Sequence, residues 1–191
     1  MSGPDGNIIA VTNLDDLLQR VRAKAYATAE QQLPSPATAV EVAQAESTLG
    51  FSLPPLLVRL YREVANGGFG PDYQLLPLVG EGRTAVSVYR EEREELADGA
   101  PHWPADVLPV LDWGCGMFAA VDCRSAEGAV LLFEPNGVDD EWSQAWYVDA
   151  EGLAGWLETW LSGTGWYEED AGEDGGMRPW EAARQRLSAS S

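Results

Sequence analysis

Leu49-Gly50-Phe51-Ser52-Leu53-Pro54-Pro55, followed by Asn66-Gly67-Gly68, is the stretch whose reading decides the fold. Upstream, Thr38-Ala39-Val40-Glu41 is a capping box: the Thr hydroxyl accepts from the third helical amide while Glu41 reaches back to the cap. The helix it opens ends at Gly50, which suits a left-handed position just past a C-terminus. Proline fits the first turn of a helix, so Pro54-Pro55 starts another. Leu56, Leu57, Leu60, Tyr61 and Val64 form its apolar stripe. Asn66-Gly67-Gly68 stops it, because Asn and Gly tolerate positive φ. Two short helices thus meet at a tight proline elbow.

Outward from this core, Asn13 caps an N-terminal helix, with Asp15 and Asp16 favourably placed at its positive end. Leu14, Leu17, Leu18, Val21 and Ala25 recur at helical spacing, and the helix runs to about Gln31 before Pro34 and Pro36 break it. Residues 1–12 read as a mobile arm. Downstream, Leu75–Val79 is a short strand candidate, and Thr84 caps a helix to about Ala97 with a charged, solvated face at Arg90–Glu95. Residues 101–104 are a loop holding His102. From Val107 the apolar period changes, and strands are expected at 107–111, 116–123, 129–134 and 145–148. Asp149 is expected to cap a last helix carrying Leu153, Trp156, Leu157, Trp160 and Leu161, ended by Gly163. Residues 164–178 read as an acidic, glycine-rich linker, and Pro179–Leu187 as a short terminal helix with Pro at its start.

The order helix, Leu-Gly, Leu-Pro-Pro, helix, Asn-Gly-Gly, then strands and a final helix resembles the SUKH superfamily, over about residues 38–162. That superfamily includes the fungal Smi/Knr-type cell-wall regulators and many bacterial proteins. The resemblance implies an α+β fold, a mainly antiparallel sheet flanked by helices. It divides the chain into an N-terminal arm and helix (1–37), a SUKH-like domain (38–162) and an acidic tail with a short helix (163–191). It also implies a binding role. Bacterial members are often immunity proteins that neutralise toxins, many of them nucleases, and fungal members regulate glucan synthesis.

Charge narrows the partner. The 191 residues hold 12 Lys+Arg against 31 Asp+Glu, a net −19, and Lys24 is the sole lysine. Between Ser125 and Met177 there are 13 acids and no Lys or Arg. Such a balance repels phosphate backbones and anionic membranes, so neither nucleic acid nor membrane is expected as a direct partner. A basic protein, such as a toxin domain, fits by charge. The first residues, Met1 to Gly6, have no basic stretch and no apolar run, so a cytoplasmic location is expected. Cys115 and Cys123, with no CxxC spacing, read as small apolar residues in or near strands, with a cross-hairpin bond the minor alternative.

Chemistry is hard to find. His102 is the only histidine, on a loop where a solvent-facing imidazole is ordinary. There is no G-x-S-x-G, P-loop or G-x-G-x-x-G, and Gly67-Gly68-Phe69-Gly70 lacks the Lys-Ser/Thr of a phosphate cradle. Carboxylates are too abundant for any pair to indicate a glycosidase. Asp170–Gly175 loosely matches a calcium loop, but Gly172 stands where a ligand is required. No enzyme activity, cofactor or metal is expected.

The aromatic residues are more informative. Trp156 and Trp160 share a face with leucines and read as core. Trp142, Trp166 and Trp180 stand beside acids instead, as anchors for a basic surface or as staples folded back on the domain. The candidate partner-binding residues are Asp139, Asp140, Glu141, Trp142, Trp166, Glu168, Glu169 and Asp170. The expected function is a non-catalytic, immunity-type domain that neutralises a basic toxin by occlusion. The alternative is an intracellular regulatory scaffold.

Overall fold

The computed structural model describes residues 13–94, 102–139, 141–168 and 177–189. The arm at 1–12 and the candidate residues Asp140, Glu169 and Asp170 lie outside them. The architecture is α+β: among the described residues, six α-helices surround one antiparallel sheet of five strands in sequence order.

Helix α1 (Leu14–Thr28) is capped by the Asn13 side chain, which accepts from the Asp15 and Asp16 amides. It buries Leu17, Leu18, Val21 and Ala25, leaving Leu14 exposed. Helix α2 (Ala39–Leu49) has the full capping box of Thr38 and Glu41 and ends at Gly50 with φ +83°. Helix α3 (Pro55–Arg59) continues into a π turn at Leu60–Val64, where the Ala65 amide reaches the Leu60 carbonyl. Its expected stripe, Leu56 to Val64, is buried throughout. Helix α4 (Ala85–Glu92) is capped by Thr84 and Ser87 reciprocally, and ends earlier than the expected Ala97.

Leu75–Val79 is not a strand of the sheet. Asn66 takes over its polar groups: Oδ1 accepts from the Leu78 amide at 2.9 Å and Nδ2 donates to the Val79 carbonyl at 2.7 Å. Pro77 has no amide to give, so only the Leu76 amide reaches β1, at the Val110 carbonyl. Gly67 makes this docking fit. A Cβ there would sit 2.6 Å from the Pro77 nitrogen and 2.7 Å from the Leu75 oxygen.

The sheet runs β1 (Val107–Gly114), β2 (Met117–Asp122), β3 (Val130–Phe133), β4 (Trp146–Ala150) and β5 (Arg178–Pro179). Phe118, Phe133 and Trp146 stand opposite one another in register and so share one face of the pleat. Trp103 lies over all three, with ring centroids at 5.6, 5.3 and 4.8 Å. Helix α5 (Leu153–Ser162) buries Leu153, Trp156, Leu157 and Trp160, and Gly163 ends it in the left-handed region.

Three sequence expectations change here. Asp149 does not cap α5, whose N-cap is Gly152 with no side-chain bond. Instead Asp149 is drawn under the helix as an acceptor for tryptophan. Residues 169–176 of the expected linker lie outside the described residues, but its end at Arg178 is packed on the sheet. Arg178–Pro179 add a fifth strand to β4, helix α6 (Ala183–Ser188) buries Ala183 and Leu187, and Trp180 packs on Trp146 at 5.9 Å. Pro179 lies in that edge strand, so it does not open the helix. Arg186 of α6 forms a largely buried ion pair with Asp122 at 2.8 Å and donates to the Ala105 carbonyl.

Candidate protein-binding surface

The acid-rich stretch is less bare in space than in sequence. Glu158 meets Arg20 of α1, whose Nη1 donates at 2.7 Å, and this contact holds Glu158 below the usual carboxylate range. Glu151 meets Arg178, and Glu141 meets Arg184 of α6 at 3.6 Å. All three bases lie outside residues 125–177, so the chain path brings them in. These pairs are largely exposed and contribute little stability each.

The candidate residues divide between two aromatic clusters. Trp142 sits in a 3-10 turn before β4, half-buried, its ring 5.7 Å from His102. It follows the staple reading. Asp139 and Glu141 flank it and are exposed. Trp180 likewise folds back, onto Trp146.

Trp166 and Glu168 lie elsewhere. The Trp166 ring is 38% exposed, packs on Trp113 at 5.1 Å, and its Nε1 donates to Asp149 Oδ2 at 3.2 Å. Tyr167 stacks on Trp113 from another side at 5.1 Å. Tyr73, 62% exposed, meets the Trp113 ring edge-on at 5.8 Å. The result is an aromatic patch of Tyr73, Trp113, Trp166 and Tyr167, with Tyr73 and Trp166 facing solvent. Burial pushes the Tyr167 hydroxyl up to about 12, and the nearby carboxylates of Asp149, Glu168 and Asp72 push the same way. Among the described residues neither Asp72 nor Glu168 forms an ion pair.

Of the residues at this patch, the sequence reading named Trp166 and Glu168 as candidates and did not name Tyr73, Trp113 or Asp72. Tyr73 lies in a turn-rich loop between Pro71 and Leu75, and Trp113 at the end of a strand. Nothing in their local pattern separates them from ordinary loop and core residues. The neighbouring hairpin turn, Gly114-Cys115-Gly116, is left-handed at all three residues, with φ of 81°, 52° and 78°. It leaves Cys115 exposed rather than packed as a small apolar residue, and Cys123 is half-buried; both are free thiols. Burial raises the Cys123 thiol to about 12, which makes it inert at neutral pH.

His102 is not on a solvent-facing loop. It is 8% exposed, wedged beside Phe133 and Trp142, with Nε2 against Glu92 Oε2 at 2.8 Å. Among the described residues no hydroxyl or thiol hydrogen-bonds to its ring, so a nucleophile–base pair is not assembled there. Nor do three His, Cys, Asp or Glu side chains converge as metal ligands among the described residues. No described helix is long and apolar enough to cross a membrane.

The family model of the SMI1 / KNR4 family (SUKH-1) matches residues 36–159, from just before the capping box into α5. The chain belongs to this family. The match spans the elbow, the Asn66 clasp and strands β1 to β4. It does not include α1 or the β5–α6 segment. No curated protein matches the chain.

Proposed function

We propose that this SUKH-1 domain is a non-catalytic immunity-type protein that neutralises a basic toxin by covering its active face. The observation that carries the reading is the exposed Trp166, seated on Trp113 near the carboxylates of Asp72 and Glu168, which form no ion pair among the described residues. An apolar anchor ringed by negative charge is what a cation-rich, phosphate-binding surface of a nuclease would meet. The overall charge of −19 adds steering, which raises the association rate most at low salt. In this reading Asp139 and Glu141 extend the negative field on a second edge. Asp140, Glu169 and Asp170 share its sign.

The test is capture of the partner by purified protein from the native cell, followed by activity assays on the pair. A basic partner whose toxic activity is lost on mixing supports the reading. An acidic partner, or a basic one whose activity is untouched, overturns it. A non-toxic partner that acts in cell-wall synthesis would favour the regulatory scaffold instead.

A further inference from the structure

Among the described residues four of the chain's 12 cations lie over aromatic rings, and all four cover rings outside the patch. Arg22 lies 5.7 Å over Tyr26, Lys24 5.0 Å over Trp160, Arg83 5.8 Å over Phe118 and Arg186 5.2 Å over Trp180. Among the described residues none covers Tyr73, Trp113, Trp166 or Tyr167. In this group two large rings, Tyr73 and Trp166, remain open to solvent around a shared buried ring. The central Trp113 is held by stacking. Its Nε1 is buried and has no acceptor among the described residues. Two acids, Asp72 and Glu168, border the patch and have no cation of their own among the described residues.

An indole or phenol face attracts a guanidinium through its quadrupole, and arginine does this more often than lysine because its planar group also stacks. Neighbouring carboxylates then neutralise the charge. A purely aliphatic partner would leave Asp72 and Glu168 desolvated without a counter-charge, which is costly. A negatively charged one would be repelled. The patch therefore favours one chemistry.

We propose that the Tyr73–Trp113–Trp166 patch is the docking point for an arginine-bearing segment of the protein partner, stacked on Tyr73 and Trp166 and paired with Asp72 and Glu168. The proposal deepens the toxin-occlusion reading and rests on it for the partner's identity. The patch chemistry can be tested alone.

The probes are three short acetylated, amidated peptides alternating glycine with arginine, lysine or glutamate, titrated into the full-length ¹⁵N-labelled protein. The arginine peptide should shift the indole signals of Trp113 and Trp166 at lower concentration than the lysine peptide of equal charge. The glutamate peptide should shift neither. Tyr73→Ala removes an exposed ring and should weaken arginine-peptide binding by roughly two- to fivefold, the worth of a solvent-exposed cation–π contact. Asp72→Asn with Glu168→Gln should weaken both cationic peptides and narrow their salt dependence. Dispersed amide spectra of each variant confirm that the fold survives. Equal response to arginine and lysine with no effect of Tyr73→Ala would reduce the patch to part of a diffuse negative field. So would larger shifts at Trp142 than at Trp166. Either result, or no binding at all, overturns the proposal. The peptide assay does not use the native partner. A flat titration therefore removes the docking point and leaves the occlusion reading to its own test. An acidic native partner removes that reading whatever the peptides do.

Discussion

The indole N–H of Trp156 donates to Asp149 Oδ2 at 2.9 Å, and the same oxygen accepts from Trp166 Nε1 at 3.2 Å. One carboxylate thus ties the buried face of α5 to the exposed aromatic patch. Desolvation raises the pKa of Asp149, although both indole bonds pull it down. Burial of the charge outweighs the two donors.

Asp149→Ala should destabilise the fold by roughly 1–3 kcal/mol, because the buried Trp156 indole loses its acceptor. Asp149→Asn keeps an acceptor oxygen and should cost less. The pH dependence has a definite sign. The folded state binds this proton more tightly than the unfolded chain, so the stability Asp149 contributes is fully present below its unfolded pKa and is lost as pH rises through the raised folded value. Denaturant melts across that window should show wild type losing stability relative to Asp149→Asn as pH rises. A constant difference would mean that Asp149 titrates at its ordinary value.

Arg186 and Asp122 carry the C-terminal segment. Their side chains are only 9% and 15% exposed, so both charges are largely shielded from water. Arg186→Ala leaves Asp122 buried without its cation and should cost roughly 3–5 kcal/mol. Deleting residues 177–191 strips α6, the β5 pairing and the Trp180 cover from Trp146, and should cost more than about 2 kcal/mol. Composition alone points to a dispensable tail. Equilibrium unfolding of the truncated protein decides, and wild-type stability would show that the packed segment is energetically idle.

Gly67→Ala should disrupt the Asn66 clasp. At φ +82° a side chain is strained, and its Cβ would overlap Pro77 and Leu75 backbone atoms that have little room to move. The expected loss exceeds about 2 kcal/mol, more than the strain of a left-handed residue alone. Gly50→Ala provides the contrast. It shares the left-handed φ but meets nothing within 4 Å, so it should cost clearly less. Equal thermal shifts for the two would locate the cost in φ and not in the close approach.

Trp160 is 4% exposed on α5, with Lys24 of α1 above its ring. Trp160→Ala should cost roughly 3–5 kcal/mol, from lost transfer energy and the cavity left behind. Melts that match wild type would mean that α5 does not pack against α1 as described.

Charge-steered association gives a prediction outside stability. Reversal of Asp139, Asp140 and Glu141 to Lys should slow binding to a basic partner at low salt and flatten the salt dependence. Glu141 meets Arg184 at 3.6 Å in an exposed pair, so folding should be almost unaffected. An unchanged on-rate would make this loop a solvated surface only.

The sequence by itself determined what short-range chemistry controls. The Asn13, Thr38 and Thr84 caps, the stop at Gly50, the Leu56–Val64 stripe and strands β1 to β4 depend on residues within a turn or two of one another, and their pattern was legible. So was the family, because the elbow and the Asn66-Gly67-Gly68 stop have fixed spacing. Trp166 and Glu168 were legible as candidates from an aromatic residue set among acids. Only the tertiary structure decided the rest. Asp149 carries the composition of a cap, yet two indoles, seven and 17 residues further on, claim its oxygen. Asn66 looks like a helix stop and also replaces the ladder bonds of Leu75–Val79. Arg20, Arg178 and Arg184 reach acids of a stretch that has no base of its own. Tyr73 and Trp113 join Trp166 across a long span of chain. In each case the partner is chosen by the path of the backbone, and a hydrogen bond, ion pair or ring contact between distant residues leaves no periodicity in the sequence to read.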